Sequence, residues 1–409
     1  MNRRTLVLVP DEWSRKGGLE IVTQNIAKAF YELGWRVVVI PARGHSDGRE
    51  TAGIEMKWLS PKGRWRASIW HRFLRWRQLA KAVERELTEG GLLILGHVQV
   101  FPLLDYLTET SKISRWVWTH GVEAWGIAAR RWMPQMNRLD RIVAVSAYTA
   151  WHEKHEGATV PISVVPNSID TARFVPTQTS GKIRRDEILI CGRLAAAEQY
   201  KGHEVLFEAL PIVQQLLGHP VTLRIIGTGD DEHRLKERAV ARGLDVCVPP
   251  FLDMDKGSPR CRVLFCGRVT DDALLEAYQH CGVFAMPSQA WCQSDEHCWV
   301  GEGFGLVYVE AEACGRPVVC STDGGAPETT LHEKTGLIVD PRSPQANAEA
   351  IARILKDPAW ADELGTNGYR FATENFSFER FKQRIAEVLG EDTKLGMTLE
   401  DKTHRQEHV

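Results

Sequence analysis

The sequence predicts an α/β protein of two domains, each built around a parallel sheet covered by helices. The first observation is length, because 409 residues exceed what one ordinary hydrophobic core organises. The second is the repeated alternation of short apolar runs with helical patterns, which is typical of β–α–β units and parallel sheets. The third is a polar stretch at 172–186, containing Pro176 and Gly181, where we place the domain boundary.

We predict a first domain over residues 1–175 and a second domain over residues 186–375. Residues 376–390 are predicted to form a last helix. The polar residues 391–409 are expected to be disordered, because they contain too little apolar surface to be held in a core.

Charge is unevenly divided along a chain whose net charge is only −2. Residues 1–172 contain 24 Lys and Arg against 17 Asp and Glu, whereas the remainder contains 27 against 36. A basic first half and an acidic second half predict different surfaces with different ligands. The apolar and charged content as a whole is that of a soluble globular protein.

The nine cysteines follow no regular spacing and do not predict a disulfide framework. The apolar run at 6–9 is too short for a signal peptide, and the longest apolar region, 92–107, is interrupted by polar residues and proline. We therefore expect a cytoplasmic protein without a transmembrane helix, with peripheral attachment to the inner face of a membrane as an option.

A glycine pair follows the first predicted strand, at residues 5–9, and precedes a helical pattern from about 19 to 33. Strand, glycine loop and helix in this order bring backbone amides close to a phosphate or a sugar, which makes Gly17 and Gly18 candidate binding residues. The structural alternative is a tight turn that requires glycine for a positive φ angle.

Residues 61–85 combine basic and aromatic side chains, and no acidic residue occurs before Glu84. Such a segment fits a helix lying on anionic lipid, or an acceptor site for an anionic glycan or a lipid phosphate. Nucleic acid is compatible with a basic patch in principle, but we expect no nucleic-acid partner. The alternative is a solvated helix whose aromatic side chains face the core. The candidate acceptor or membrane residues are Arg64, Arg66, Trp70, Arg72, Arg75 and Trp76.

Two predicted strands of the first domain end in histidine. His97 follows the strand at 92–96, and His120 follows the strand at 116–119. Ligands of doubly wound sheets bind at the carboxyl ends of the strands, so both imidazoles are well placed for a ligand. The alternative is a structural histidine at a strand end.

The second domain begins with a predicted strand at 188–191, and Arg193 and Lys201 follow it before a helix that starts near residue 204. Arg193 offers a planar fork for phosphate, and Lys201 offers a point charge close to a helix N-terminus. The next strand leads to Gly227 and Gly229, a partial phosphate loop. It lacks the third glycine of a dinucleotide fingerprint, so neither a nicotinamide nor a flavin cofactor is expected.

Residues 301–310 place two carboxylates eight positions apart around a glycine-rich loop. We expect Glu302 in the loop before a helix and Glu310 about two turns inside that helix. The free N–H groups of the helix N-terminus between them form an anion site. Two carboxylates beside an anion site suit a ligand with hydroxyls at one end and phosphates in the middle, as in a nucleotide-sugar. The alternative is one loop glutamate and one solvated helix glutamate.

These residues resemble the motifs of the retaining GT-B glycosyltransferases of family 4 (glycosyl transferases group 1). In that family an E-x7-E element, a Gly-Gly-x-Pro-Glu turn and a Gly-Leu-x-Val strand occur in this order, as they do here at 302–310, 324–328 and 336–339. The resemblance covers nearly the whole chain and is densest over 188–340. It implies two Rossmann-like domains facing across a cleft, with a last helix that crosses back to the first domain. One departure is Ser168, where the family usually has glycine.

The resemblance also implies individual roles. The donor diphosphate would be held by Arg193 and Lys201. Glu302 would bind sugar hydroxyls and Glu310 the ribose, while His120 would contact the transferred sugar. These implied roles make His120, Glu302, Arg193 and Lys201 the candidate catalytic residues. The remaining implied donor-binding positions are Gly17, Gly18, Gly227, Val269, Gly303, Phe304, Gly305 and Leu306.

The implied reaction moves a hexose-type sugar from a nucleotide-sugar to a hydroxyl of a glycan or lipid-linked acceptor, with retention at the anomeric carbon. The acceptor proton would pass to the donor phosphate, since no protein base is evident. We expect no metal and no cofactor, and a place in cell-surface polysaccharide or lipopolysaccharide synthesis. Two alternatives are a nucleotide-sugar epimerase of the same fold and a non-catalytic nucleotide-sugar-binding protein.

One stretch, residues 289–300, is longer than the corresponding connection in the family. Cys292, His297 and Cys298 are ligand types that zinc prefers, but they lack a regular pair spacing. We therefore favour an acceptor-selecting loop over a metal site. The pair Asp253 and Asp255 follows no suitable strand and is interpreted as incidental.

Overall fold

The computed structural model describes residues 3–13, 17–44, 53–59, 69–177, 183–249, 259–293 and 298–392. The chain forms two compact units: unit 1 comprises Met1–Ser168 and Phe378–Val409, and unit 2 comprises Ile169–Ser377. Residues 169–175, predicted in the first domain, lie in unit 2. The disordered tail predicted at 391–409 starts too early, because Glu391 ends the last helix and Asp392 is held by hydrogen bonds. Residues 393–409 lie outside the described part of the chain.

Unit 1 is built on a seven-stranded parallel sheet with strand order β3-β2-β1-β4-β5-β6-β7. The strands are β1 (Thr5–Val9), β2 (Arg36–Val39), β3 (Ile54–Met56), β4 (Gly91–Leu95), β5 (Ile113–Thr119), β6 (Arg141–Ala144) and β7 (Ile162–Val164). The helices are α1 (Gly18–Glu32), α2 (Ile69–Glu86), α3 (Gly126–Met136), α4 (Ala147–His155) and the last helix of the chain, α11 (Phe378–Glu391). Short 3-10 helices span Val98–Tyr106 and Val122–Ala124.

The central strands β1 and β4 are continuous apolar runs because both faces of the sheet are covered. Leu6 of β1 pairs with Val37 of β2 and with Leu92 of β4, and all three side chains are buried. Leu79 and Val83 of α2 lie in the core that packs on this sheet. The predicted parallel α/β architecture of this half is confirmed.

The last helix packs within unit 1. Phe381 of α11 is 1% exposed, and its ring centroid lies 5.8 Å from that of Trp118 in β5. Asp392, directly after the helix, accepts hydrogen bonds from the Ser114 hydroxyl and, at 2.8 Å, from Trp116 Nε1. The end of the chain is therefore fixed to the sheet formed by its beginning.

Unit 2 is built on a second seven-stranded parallel sheet, with order β10-β11-β9-β8-β12-β15-β16. The strands are β8 (Arg184–Cys191), β9 (Thr222–Ile226), β10 (Asp245–Cys247), β11 (Arg262–Phe265), β12 (Cys281–Ala285), β15 (Val318–Ser321) and β16 (Gly336–Val339). A separate antiparallel hairpin pairs β13 (Trp291–Gln293) with β14 (Cys298–Val300). The helices are α5 (His203–Leu217), α6 (Glu232–Ala241), α7 (Asp271–His280), α8 (Leu306–Ala313), α9 (Pro344–Lys356) and α10 (Pro358–Phe376).

The central strand of unit 2 is β8, whose residues Ile188 and Leu189 are fully buried and pair with Val283 and Phe284 of β12. The loops that follow these two strands lie at the same edge of a parallel sheet. The candidate site residues of unit 2 are carried by the loops after β8, β9 and β11, by the segment before α8 and by α8 itself. Within the part of the chain that the structure describes, no helix combines the length and apolar composition needed to cross a membrane.

Candidate active site

The loop after β8 carries the two predicted phosphate-binding cations on either side of a carboxylate. Lys201 Nζ lies 2.9 Å from Oε2 of Glu198, and the Arg193 guanidinium forms an ion pair with Oε1 of the same side chain. The side chains of Glu198 and Lys201 are 12% exposed, whereas that of Arg193 is 79% exposed. The structure thus brings Arg193 and Lys201 together through Glu198, which is not part of the sequence motif.

Glycine allows this loop to turn sharply into α5. The 3-10 helix Ala196–Lys201 ends at Gly202, which has a φ of 80°. A Cβ at this position would lie 2.2 Å from the carbonyl oxygen of Pro287, so no other residue fits without rearrangement. A Cβ on Gly192 would approach Lys201 Nζ to 3.0 Å. Gly202 therefore fixes the turn into α5, and the Lys201 side chain packs against Gly192.

Glu302 belongs to the same cluster. Burial raises the pKa of its carboxyl group, while the nearby Lys201 ammonium opposes that shift and the Glu198 carboxylate adds to it. The Phe304 backbone N–H also donates to the Glu302 carboxylate and lowers its pKa. A cation pair and two carboxylates are therefore gathered beside the N-terminus of α8.

The glycine turn at 324–328 supports Glu302 through its backbone. The Gly325 N–H donates to the Glu302 carbonyl oxygen over 2.9 Å. Gly324 has a φ of 68°, and a Cβ there would lie 2.6 Å from the same oxygen. The two motifs occur together because the turn packs directly against the loop that carries Glu302.

Helix α8 begins at Leu306, with Gly305 at the N-cap in the left-handed region at a φ of 95°. Glu310 therefore lies one turn inside the helix. The prediction of two turns was wrong, because residues 301–305 belong to the loop. The Phe304 side chain is 3% exposed and packs on Phe376, with ring centroids 5.6 Å apart. Phe304 anchors the loop in the core and offers a ligand only its backbone.

Glu310 is paired with a tyrosine that the sequence did not single out. The Tyr278 hydroxyl donates a hydrogen bond of 2.8 Å to Glu310 Oε2. Burial raises the pKa of Glu310 to about 7, while the Tyr278 hydrogen bond and the Arg173 charge act in the opposite direction. Burial also raises the pKa of Tyr278, so this hydroxyl stays protonated. Glu310 is therefore a carboxyl group that changes charge near neutral pH.

Gly227 lies against the same β8 loop. Its φ is 146°, and a Cβ there would lie only 1.8 Å from the Gly192 carbonyl oxygen. The Gly227 N–H donates to the Gly267 carbonyl over 3.0 Å. Val269 is half-buried in the segment between β11 and α7. The two positions predicted to bind the donor thus follow neighbouring strands, β9 and β11.

In unit 1, the glycine pair does not form the tight turn considered as an alternative. Gly17 is the N-cap of α1 with φ and ψ both at 176°, an extended conformation open to any residue. A Cβ at Gly17 would meet no atom within 4 Å among the described residues. Neither the backbone nor local packing of the described chain requires glycine there, which leaves close approach of a ligand as an explanation.

His120 lies at the end of β5 with its two ring nitrogens in different situations. Nε2 lies 2.9 Å from the Gly96 carbonyl oxygen and must carry the proton, since a carbonyl only accepts. Nδ1 is buried and has no hydrogen-bond partner among the residues that the structure describes. Burial lowers the pKa of His120, and the nearby Glu123 carboxylate opposes this shift. The result is a neutral imidazole with an unused acceptor.

His97 has a structural role. Its Nδ1 accepts a hydrogen bond of 3.1 Å from the Gln99 backbone N–H and caps the 3-10 helix that follows β4. Its ring stacks at 6.2 Å on His120. His97 thus supports the strand end at which His120 lies.

The basic segment contains one residue that was wrongly predicted to face acceptor or membrane. Trp76 of α2 is 8% exposed and belongs to the core of unit 1. Its helical phase explains this, because Leu79 and Val83 on the same stripe are also buried. The Arg75 guanidinium lies 4.8 Å from the Trp76 ring centroid. Outside the described residues lie Arg64 and Arg66, together with the side chains of Trp70 and Arg72.

The stretch at 289–300 forms the β13–β14 hairpin, with Cys292 exposed on it. His297 and the Cys298 side chain, like Asp253 and Asp255, fall outside the described residues. Within the described residues, no group of three or more His, Cys, Asp or Glu side chains is arranged to hold a metal ion.

Two family models match the chain in succession. The model described as Glycosyltransferase Family 4 matches residues 16–173, and the model described as Glycosyl transferases group 1 matches residues 185–357. Two parallel α/β units and these two family matches define a glycosyltransferase of the GT-B class.

Relatives of known activity include the GDP-mannose-dependent alpha-(1-6)-phosphatidylinositol monomannoside mannosyltransferase of Mycolicibacterium smegmatis. It is 30% identical over 283 residues, which span 66% of this chain and 68% of that protein. The D-inositol 3-phosphate glycosyltransferase of Salinispora tropica is 29% identical over 267 residues, which span 62% of this chain and 55% of that protein. The chain belongs to the family 4 (group 1) glycosyltransferases, and it is a glycosyltransferase that uses a nucleotide-sugar.

Solved structures support the fold. Anabaena Alr3699/HepE in complex with UDP and glucose has a TM-score of 0.72 at 20% identity, covering 94% of this chain and 99% of that chain. Sucrose-phosphate synthase from Thermosynechococcus elongatus has a TM-score of 0.70 at 21% identity, covering 95% and 99%. The predicted GT-B fold and the predicted family are confirmed.

Proposed function

We propose that the protein is a retaining, metal-independent hexosyltransferase that moves a sugar from a nucleoside diphosphate sugar to a hydroxyl of a glycan or lipid-linked acceptor. The observation that carries this proposal is the cluster of Arg193, Lys201 and Glu302 beside the N-terminus of α8. It combines donors for a diphosphate with a carboxylate for sugar hydroxyls.

The cations would act on the leaving group. As the bond between the anomeric carbon and the donor oxygen breaks, negative charge grows on the nucleoside diphosphate. Arg193 and Lys201, together with the free N–H groups of α8, would stabilise that charge in fixed positions. Charge stabilisation of this kind does not itself need a metal ion, which supports the proposal of a metal-independent reaction.

The carboxylates would orient the rest of the donor. Glu302 would accept hydrogen bonds from sugar hydroxyls, and Glu310, held by Tyr278, would accept them from the ribose. The unused Nδ1 acceptor of His120 supports a contact with a hydroxyl of the transferred sugar, since a buried acceptor without a partner is costly. The acceptor oxygen would bond to the anomeric carbon on the face from which the leaving group departs, which gives retention, and its proton would pass to the departing donor phosphate.

GDP-mannose is the first donor to test, because a relative at 30% identity is named as dependent on it. The same name supports a lipid-linked acceptor. The proposed setting is cell-surface glycan or lipopolysaccharide synthesis at the cytoplasmic face of a membrane. The basic segment at 61–85 supports peripheral attachment through its charge.

The experiment is donor binding and hydrolysis across UDP-, GDP- and ADP-sugars, with Arg193→Ala and Glu310→Ala. Arg353→Ala is the matched control, since Arg353 pairs with Glu333 on the surface of the same unit. We expect one donor to be selected and bound at least tenfold more weakly by both site variants but not by the control. If Arg193→Ala and Glu310→Ala both bind the donor as tightly as wild type, the assignment of these residues to the donor site is rejected. Formation of an epimerised sugar in the absence of acceptor would show that the protein is an epimerase and not a transferase.

Once the donor is known, the anomeric configuration of the product tests retention, and an EDTA titration tests metal independence. NMR should show the anomeric configuration of the donor in the product, and the chelator should leave the rate unchanged. Inversion, or loss of activity that a divalent cation restores, would contradict them.

A further inference from the structure

The two cations of the proposed diphosphate site are already paired with a carboxylate from the same loop. Glu198 bridges them, with Oε2 at 2.9 Å from Lys201 Nζ and Oε1 in an ion pair with Arg193. The side chains of Glu198 and Lys201 are each 12% exposed, so their half of the bridge is largely shielded from water, whereas the Arg193 half is exposed. Ion pairs are stronger when they are shielded in this way than at a fully exposed surface.

The backbone at Glu198 is irregular. Inside the 3-10 helix Ala196–Lys201, Glu198 alone has non-helical angles, with φ at −118° and ψ at 30°. The Glu198 backbone N–H donates to the Ala195 carbonyl oxygen over 2.8 Å, which closes a turn just before it. The Glu198 carboxylate therefore sits at a kink in the loop, before α5 begins at His203.

Arg193 and Glu198 line one cavity of about 210 Å³, together with His203, Glu204, Gln289 and Trp291. The Arg193 guanidinium is 79% exposed, so it can follow a ligand into or out of this space. Room beside the ion pair means that the carboxylate has a place to go when an anion arrives.

We propose that Glu198 is an internal competitor of the donor: its carboxylate occupies the position between Arg193 and Lys201 that the donor diphosphate takes, and it is displaced when the diphosphate binds. This inference rests on the proposed function. A carboxylate and a phosphate use the same guanidinium and ammonium donors, and both cannot be held fully at once. The pair also keeps the two cations together in the free enzyme.

The same competition favours release of the product. Once the sugar has left, the nucleoside diphosphate is held by the cations with no further chemistry to perform. Return of Glu198 between Arg193 and Lys201 replaces those contacts and lowers the affinity for the product. Glu198 therefore promotes product release, and it forms no bond with the reacting atoms.

The test is binding of inorganic diphosphate, UDP and GDP to the full-length protein by calorimetry, comparing wild type with Glu198→Gln. Removing the competing charge is expected to lower Kd about five- to tenfold for the probe that wild type binds best. Glu198→Asp keeps the charge and should stay within about twofold of wild type. Glu204→Gln, a carboxylate of the same cavity that pairs with Arg234 instead, is the matched control and should show no tightening.

Kinetics give a second readout. With the accepted donor, Glu198→Gln should lower KM for the donor and lower kcat, because the product leaves more slowly. Weaker or unchanged binding by Glu198→Gln, with wild type still binding a probe, would overturn the competitor role and show that Glu198 only positions Arg193. Binding of no probe by any variant would instead reject the diphosphate site itself, and the competitor role with it.

Discussion

The Tyr278 hydroxyl donates a hydrogen bond of 2.8 Å to Glu310 Oε2, and the Tyr278 side chain is fully buried. The titratable groups that face Glu310 are Tyr278 from α7, Cys191 at the end of β8, Arg173 and, on its own helix, Cys314. Burial has the largest effect and raises the pKa of Glu310 to about 7. Its protonation therefore changes near neutral pH.

Donor binding should depend on pH through Glu310. Only the ionised carboxylate accepts hydrogen bonds from both ribose hydroxyls, so affinity is full above the pKa and is lost as pH falls through it. With a pKa of about 7, we expect the donor Kd to rise about tenfold between pH 8 and pH 6. Calorimetric titration at both pH values measures this. Glu310→Gln should bind weakly with no such dependence, and a wild-type Kd independent of pH would contradict the assignment.

Removal of the tyrosine hydroxyl should shift that pH profile. The hydrogen bond from Tyr278 favours the ionised carboxylate, so Tyr278→Phe should move the midpoint of donor binding to higher pH by about half a unit to one unit. It should also cost about 1 kcal/mol of stability. A purely structural role would lower stability and leave the midpoint in place. Tyr31→Phe, at a residue of unit 1 that is 38% exposed, is the control.

Gly17→Ala should lower activity without changing the stability of the fold. The extended backbone and the absence of any described atom within 4 Å predict a melting temperature unchanged by the methyl group. If the donor approaches this backbone closely, kcat/KM should fall about tenfold or more. Gly336→Ala is the opposite case, because its Cβ would lie 2.3 Å from the Val318 carbonyl oxygen. This variant should therefore have a lower melting temperature. Full activity of Gly17→Ala would remove Gly17 from the site.

Glu153 of α4 should make stability fall as pH rises. Burial raises the pKa of this fully buried carboxyl to about 8, with Glu123 adding to the shift and Thr119 opposing it. The folded state keeps a proton that the unfolded state releases above pH 4.5, so stability declines between pH 4.5 and about 8. Glu153→Gln should lessen this decline and raise stability at pH 8 by about 1–2 kcal/mol. Calorimetric melting at pH 5 and pH 8 tests it, and an equal decline in the variant would contradict it.

Much of the fold could be predicted because apolar runs and glycines report local structure directly. The strand at 5–9 and the glycine turn at 324–328 are determined by nearby residues, so their positions followed from the sequence. Trp76 was placed wrongly because basic neighbours masked a helical stripe that the core uses. The predicted position of Glu310 along α8 was wrong because the loop before the helix is longer than the motif suggests.

The partners of the site residues could not be predicted to the same degree. Tyr278 lies 32 positions before Glu310 and meets it only after α7 and α8 are packed together. Glu198 had a local signal, since a carboxylate three residues before Lys201 is in helical phase to pair with it. The pairing with Arg193 required the kinked loop, which sequence periodicity does not reveal.

The most direct test of the central claim is release of nucleoside diphosphate by wild type and Lys201→Ala, across UDP-, GDP- and ADP-sugars with lipid-linked and glycan acceptors. We predict that wild type turns over one donor and that Lys201→Ala lowers kcat/KM about 100-fold while its melting temperature stays close to that of wild type. Release from no donor, or an undiminished rate in folded Lys201→Ala, would contradict the proposal that this cation cluster stabilises the departing diphosphate.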